Sequence, residues 1–82
     1  MLIHNPQELA LKVASQRKKL ALSQEEVANR VGLKQKTISA FENNPTNVKL
    51  STLFLILSAV NLDINLLPKM TSNETSSSKL EW

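Results

Sequence analysis

The chain contains one glycine, Gly32, and it stands between two short segments that each read as a helix. A chain that uses glycine once places it where other residues fit poorly, and a helix end at which φ turns positive is the usual such place. The segment before it opens with Ser23-Gln24-Glu25-Glu26, a Ser-x-x-Glu capping box, and carries Val27, Ala28 and Val31 on its buried face. The segment after it runs over about residues 35–43, with Ile38 and Phe41 inward. Two helices joined by so tight a turn cross steeply. The crossing needs a small residue on the first helix, supplied by Ala28, and a turn residue tolerant of left-handed backbone, supplied by Gly32. It also needs apolar residues to lock it, supplied by Val27, Val31, Leu33, Ile38 and Phe41. An ordinary helical hairpin has no need of all these at once. The sequence therefore predicts a helix-turn-helix unit over Gln24 to Asn43.

The flanks complete a small helical domain. Asn5-Pro6-Gln7-Glu8 is a helix start: an N-cap, a proline at the first position and a glutamate that can reach back. Leu9, Val13 and Ala14, then Arg17, carry helix one to about residue 20. After the turn-rich Asn43-Asn44-Pro45-Thr46-Asn47, helix four runs from near Ser51 to about Val60. It is apolar around nearly its whole circumference, and one short protomer can hardly cover it all. That predicts a dimer, with Leu57 and Val60 at the interface. Leu62-Asp63-Ile64-Asn65-Leu66 then alternates with the period of a strand. A lone strand is not stable, so it needs a partner. Leu2-Ile3 is one candidate, and the same strand of a second copy is the simplest. Residues 1–70 are the folded domain. Residues 71–82 are half Ser or Thr and read as a flexible tail ending in Leu80 and Trp82. A lone Trp on a polar tail is a typical interface anchor.

Composition narrows the function. The chain has 82 residues, no cysteine and one histidine, His4, which reads as an exposed residue flanking helix one. Thiolate metal sites and disulfides are excluded, which fits a reducing cytosol. No Gly-rich phosphate loop or convergent Ser/His/Asp set is visible, so the expectation is no enzyme, no cofactor and no metal. Glu25, Glu26 and Glu42 read as surface or capping carboxylates, Glu42 also as a candidate to hold the loop after helix three. No signal peptide is evident, and Leu53–Val60 is far too short to span a bilayer. A cytoplasmic protein with no membrane partner follows as an expectation. The net charge is +3. Residues 1–70 carry nine basic and five acidic side chains, so the folded part is the basic part. The outward positions of the second motif helix are Lys34, Gln35, Lys36, Thr37 and Ser39, residue types that bond base edges and phosphates. Taken alone, the lysines are an ordinary solvated face; inside this motif they are candidate DNA contacts. The competing class is a protein-interaction adaptor that uses helix four and never touches DNA.

The phrases Gln-x-x-Val-Ala and Ile-Ser-x-Phe-Glu-Asn resemble the lambda-repressor-like helix-turn-helix superfamily over about residues 8–61. Gly32-Leu33-Lys34-Gln35-Lys36-Thr37-Ile38-Ser39-Ala40-Phe41-Glu42-Asn43-Asn44-Pro45, a strand after helix four and a Ser-rich tail ending Leu80-Glu81-Trp82 are similar to the HipB-type antitoxins over nearly the whole chain. The resemblance implies an all-α bundle of four to five helices with a short C-terminal β-strand pairing across a homodimer. It implies an autorepressor of a toxin–antitoxin operon whose partner is a HipA-type Ser/Thr kinase; in three-gene variants a third small subunit takes part. Lys34, Gln35, Lys36 and Ser39 would then lie near base edges of double-stranded operator DNA. Gln24, Thr37 and Lys49 would contact its backbone. Leu62, Asp63, Ile64, Asn65 and Leu66 would form a two-stranded lid across the dimer, and Leu80 and Trp82 would meet the toxin. Lys36 stands where a member of the family carries a small residue, so operator preference can differ. A phage-type or housekeeping repressor with no toxin partner is the alternative reading.

Overall fold

A computed structural model describes residues 2–69. Four α-helices and one short 3-10 turn follow in order: α1 (Pro6–Lys19), α2 (Gln24–Arg30), α3 (Gln35–Asn43), the 3-10 turn Pro45–Asn47, and α4 (Leu50–Ala59). The expected starts are in place. Asn5 accepts a bond from the Glu8 amide, while the Glu8 carboxylate reaches past the cap to the amide of His4. Ser23 and Glu26 form a reciprocal capping box at α2. The core is one apolar cluster drawn from all four helices: Ala10 and Val13, Val27 and Ala28, Ile38 and Phe41, Leu53, Ile56, Leu57 and Ala59, with Val60 just beyond. Ala28 is buried where α2 meets α3, the most extensive helix pair in the fold.

Three helices end in the same way, which glycine usage alone does not reveal. Ala21, Gly32 and Asn61 have φ of 59°, 72° and 60°. Each is followed by a leucine, Leu22, Leu33 or Leu62, whose amide returns to a carbonyl five residues back, on Arg17, Ala28 or Leu57. Each of these leucines packs half-buried against the core. This is the left-handed helix closure with its hydrophobic contact. Gly32 occupies one such place, as expected, but an alanine and an asparagine occupy the others.

One expectation about the C-terminal part changes. Leu57 and Val60 lie inside their own protomer, with 3 % and 0 % of their surface exposed, so they have almost nothing to offer a second copy. Periodicity could not choose between the faces of an all-apolar helix; packing against the other helices took the Ile56, Leu57 and Val60 face. The exposed apolar residues of α4 are instead Leu50, Phe54 and Leu55. Among the described residues no strand forms: Leu62–Lys69 runs without regular structure, and neither it nor Leu2-Ile3 pairs. Within one chain it meets no free strand edge. Ile64 and Leu66 accordingly remain exposed. Leu80 and Trp82 lie outside the described residues. No described helix is long and apolar enough to cross a membrane.

The closures give a paired prediction. A left-handed alanine costs about 1–2 kcal/mol, partly offset by the entropy a glycine loses on folding. No atom lies within 4 Å of a Cβ built on Gly32, so only backbone strain opposes a side chain there. Ala21→Gly should raise stability by ~1 kcal/mol and Gly32→Ala should lower it by a similar amount. Urea melts of the two variants against the parent chain check both signs.

Candidate nucleic-acid interface

The first turn of α3 is the most exposed part of the helix-turn-helix unit. Lys34, Gln35 and Lys36 are exposed, while Thr37 and Ser39 are half-buried. Lys34 is the N-cap residue and its side chain makes no capping bond, so the first amides of α3 face outward without an internal side-chain acceptor. Ser39 accepts a bond from Asn43 at 3.3 Å, one turn on.

Behind this turn a relay of side chains runs into the protein. Arg17 of α1 meets Glu42 of α3 in a two-pronged ion pair, Nε to Oε2 at 2.7 Å and Nη2 to Oε1 at 2.9 Å. The third prong donates to the Leu22 carbonyl at 3.0 Å. Gln24 Nε2, from the start of α2, donates to Glu42 Oε1 at 2.9 Å. Gln35 Nε2 donates to Gln24 Oε1 at 2.6 Å. The two ionic side chains are only 12 % and 8 % exposed, so Glu42 is not the surface carboxylate expected from sequence. It is a partly buried junction, and it joins α3 to α1 and α2 rather than to the loop that follows α3.

The relay has a direction. A carboxylate only accepts hydrogen bonds. Gln24 must therefore turn its NH2 toward Glu42 and its carbonyl toward Gln35. Gln35 must in turn spend one N–H on Gln24. Its carbonyl and second N–H are left side by side on an exposed surface, the donor–acceptor pair that a glutamine needs to read adenine.

Lys36, Thr37 and Lys49 come together as well. With Ala40, Asn44, Asn47 and Thr52 they line an open depression between α3 and the start of α4. Lys49 is the N-cap of α4, so a basic residue stands beside the positive end of that helix. Gln24, Lys34, Gln35, Lys36, Thr37, Ser39 and Lys49 thus occupy a continuous band of α2, α3 and the α4 start. Sequence reasoning missed Arg17 and Glu42. The available signal was two opposite charges at inward positions of amphipathic helices. Asn44 and Asn47 were read only as turn residues. Among the expected dimer residues, Asp63, Ile64, Asn65 and Leu66 are exposed and Leu62 is half-buried. Phe54, Leu62 and Ile64 border one groove along α4.

The charge state of the junction follows from its neighbours. Burial pushes the Glu42 carboxyl up, but the bonds from Arg17 and Gln24 and the charges of Arg17 and Lys18 together outweigh it, so the group sits below its ordinary value. Arg17 is held above its own high value, first by the bond to Glu42. A carboxylate whose folded value is depressed adds stability above its unfolded value, about 4.3, and loses it as pH falls through the folded one. The parent chain should therefore weaken in that acid window. Glu42→Gln should start less stable at neutral pH and lack this part of the acid dependence, so that the two curves converge in acid. Glu42→Ala should cost about 2 kcal/mol, the scale for losing hydrogen bonds to a charged group and leaving its partners unmatched. Thermal melts over a pH series test all three statements.

Known proteins match both the sequence and this geometry. Residues 13–67 match the helix-turn-helix family. Antitoxin HipB of Escherichia coli (strain K12) is 38 % identical over 82 residues, covering 98 % of this chain and 93 % of that protein. Among solved structures, a chain of the HipA-HipB-O2-O3 complex matches with a TM-score of 0.83 and 38 % identity, over 85 % of this chain and 99 % of that one. A chain of the HipB-O4 20mer complex matches with a TM-score of 0.80 and 40 % identity, over 82 % and 94 %. By motif, fold and relatives together, this chain belongs to the helix-turn-helix family and, within it, to the HipB antitoxins.

Proposed function

We propose that this chain is a cytoplasmic, DNA-binding antitoxin without enzymatic activity, which represses its own toxin–antitoxin operon as a dimer and binds a HipA-type Ser/Thr kinase toxin. The carrying observation is the relay Arg17–Glu42–Gln24–Gln35, which leaves one oriented amide edge on the exposed first turn of α3. Lys34, Lys36 and Ser39 flank it toward the bases, and Gln24, Thr37 and Lys49 take the phosphate backbone. A dimer of such heads reads a palindrome with half-sites ~34 Å apart or a multiple of that. The exposed Phe54, Leu55, Ile64 and Leu66 supply apolar surface for the second copy. Leu62–Leu66 gains its missing strand partner there, as a two-stranded lid. Leu80 and Trp82 are assigned to the toxin contact, in keeping with the similarity to a chain of a HipA-HipB complex.

Gel shifts on the DNA directly upstream of the reading frame test the proposal. The parent should bind with an affinity that falls steeply as salt rises, because phosphate contacts release counterions. Gln35→Ala should cost ~1–3 kcal/mol and relax one base position. Lys49→Ala should weaken all sequences alike and reduce the salt slope by about 1. Absence of any shift at low salt would sink the DNA reading and leave the adaptor.

Removing residues 72–82 should leave DNA binding intact and weaken binding to a kinase encoded beside this chain. A pull-down with that kinase decides. Equal capture by the truncated chain contradicts the tail assignment, and a neighbourhood with no kinase favours the plain repressor.

A further inference from the structure

The end of α4 is held differently from the other helix ends. All three left-handed closures use backbone bonds, but among the described residues α4 alone also receives side-chain donors from two other helices. Arg30, the last residue of α2, donates Nη1 to the Ala59 carbonyl at 2.9 Å. Gln16 of α1 donates Nε2 to the Val60 carbonyl at 3.1 Å. Asn61 then turns left-handed, and the Leu62 amide returns to Leu57 at 2.9 Å.

This placement has a mechanical reason. The chain leaving α1 or α2 enters another packed helix, which fixes its path. The chain leaving α4 enters Asp63–Lys69, which is exposed throughout and has no regular structure. Its direction is therefore set at Ala59–Leu62 or nowhere in the protomer. Extended chain advances about 3.3 Å per residue, so a small rotation at Val60 is multiplied over the roughly 13 Å to Ile64 and beyond. Arg30 is itself exposed, so burial does not account for its ordered reach to α4.

We propose that Arg30 and Gln16 are positioning residues: by clamping the last carbonyls of α4 they fix the direction of the dimer arm and thereby the separation of the two reading heads. The inference rests on the dimeric reading above. Neither residue touches DNA in this scheme; each acts through the path of residues 62–66. Loss of the clamp should change which operator spacing is accepted, whereas general weakening of the fold lowers affinity for every spacing alike.

The chain has no cysteine, so one introduced thiol is unique to each protomer. Spin labels on Glu25→Cys, at the exposed start of α2, report the distance between heads by double electron–electron resonance without DNA. The full-length background should give one narrow distance distribution. Adding Arg30→Ala should shift and broaden it, Gln16→Ala should do the same, and Arg30→Lys should fall between. A distribution as narrow and as centred in Arg30→Ala and Gln16→Ala as in the background overturns the clamp while leaving the dimer standing. No dipolar signal in the background removes the dimeric reading itself, and the clamp with it. A second readout covers a variant too weak to label. On the upstream DNA with one base pair inserted at the palindrome centre, the parent should lose binding and Arg30→Ala should lose less. Equal relative loss in both overturns the proposal.

Discussion

The partly buried pair between Arg17 and Glu42 is the contact on which the proposed reading surface depends. It ties α1 to α3 across the fold, and it is the only element of the relay that cannot be turned round. Two charges taken this far from water are held at a desolvation cost that their attraction does not easily repay, and two apolar side chains of similar size often hold helices together as well. Stability alone is therefore a weak reason for an ion pair here. Orientation is a better one. An apolar pair at these positions would leave Gln24 free to flip its amide, and Gln35 would then present its polar edge in either sense. The carboxylate removes that freedom two residues away from where it matters. The arginine in turn keeps the carboxylate ionised, hence acceptor-only, throughout the neutral range.

Short helices explain the emphasis on closures. The helices so closed have fourteen residues in α1, seven in α2 and ten in α4, lengths at which isolated helices are marginal in water. A left-handed residue followed by leucine satisfies a late carbonyl and buries an apolar side chain in one step. Repeating it at Ala21-Leu22, Gly32-Leu33 and Asn61-Leu62 lets three helices stop sharply and still feed the core. Alanine at the first of these keeps the geometry at some strain, which the surrounding packing of Leu20 and Leu22 holds in place.

What could be read from the sequence follows the range of the interactions. Caps are local, and Asn5, Ser23 and Glu26 announced their helices correctly. The tight turn is nearly local, and Ala28, Gly32 and Leu33 announced it. Ala21 did not, because alanine carries no signature of a positive φ; only the fold requires it there. The face of α4 that turns inward was equally hidden. Leu53, Phe54, Leu55, Ile56 and Leu57 are all apolar, and nothing in their order says that Phe54 faces out and Leu57 in. Glu42 was misplaced for a related reason. A carboxylate beside Phe41 looks like surface until its partner, 25 positions earlier, is known to face it. The outward residues of α3 were legible because a helix of known phase fixes which side chains point away. The relay that orients them was not, since it joins three helices through contacts of long sequence separation.

The two ends of α2 now have distinct work. Its first residue, Gln24, carries the hydrogen bond that orients Gln35, and its last, Arg30, grips the end of α4. Between them lie Val27 and Ala28, which have essentially no exposed surface. A helix of seven residues spans only about 10 Å and is too short to bend appreciably. With its middle fixed in the core, a displacement at one end is a displacement at the other. In the proposed dimer, a pull on residues 62–66 therefore reaches, through Arg30, the same short element that carries Gln24 and its bond to Gln35. On the proposed reading, dimer geometry and base contact are joined through this one helix.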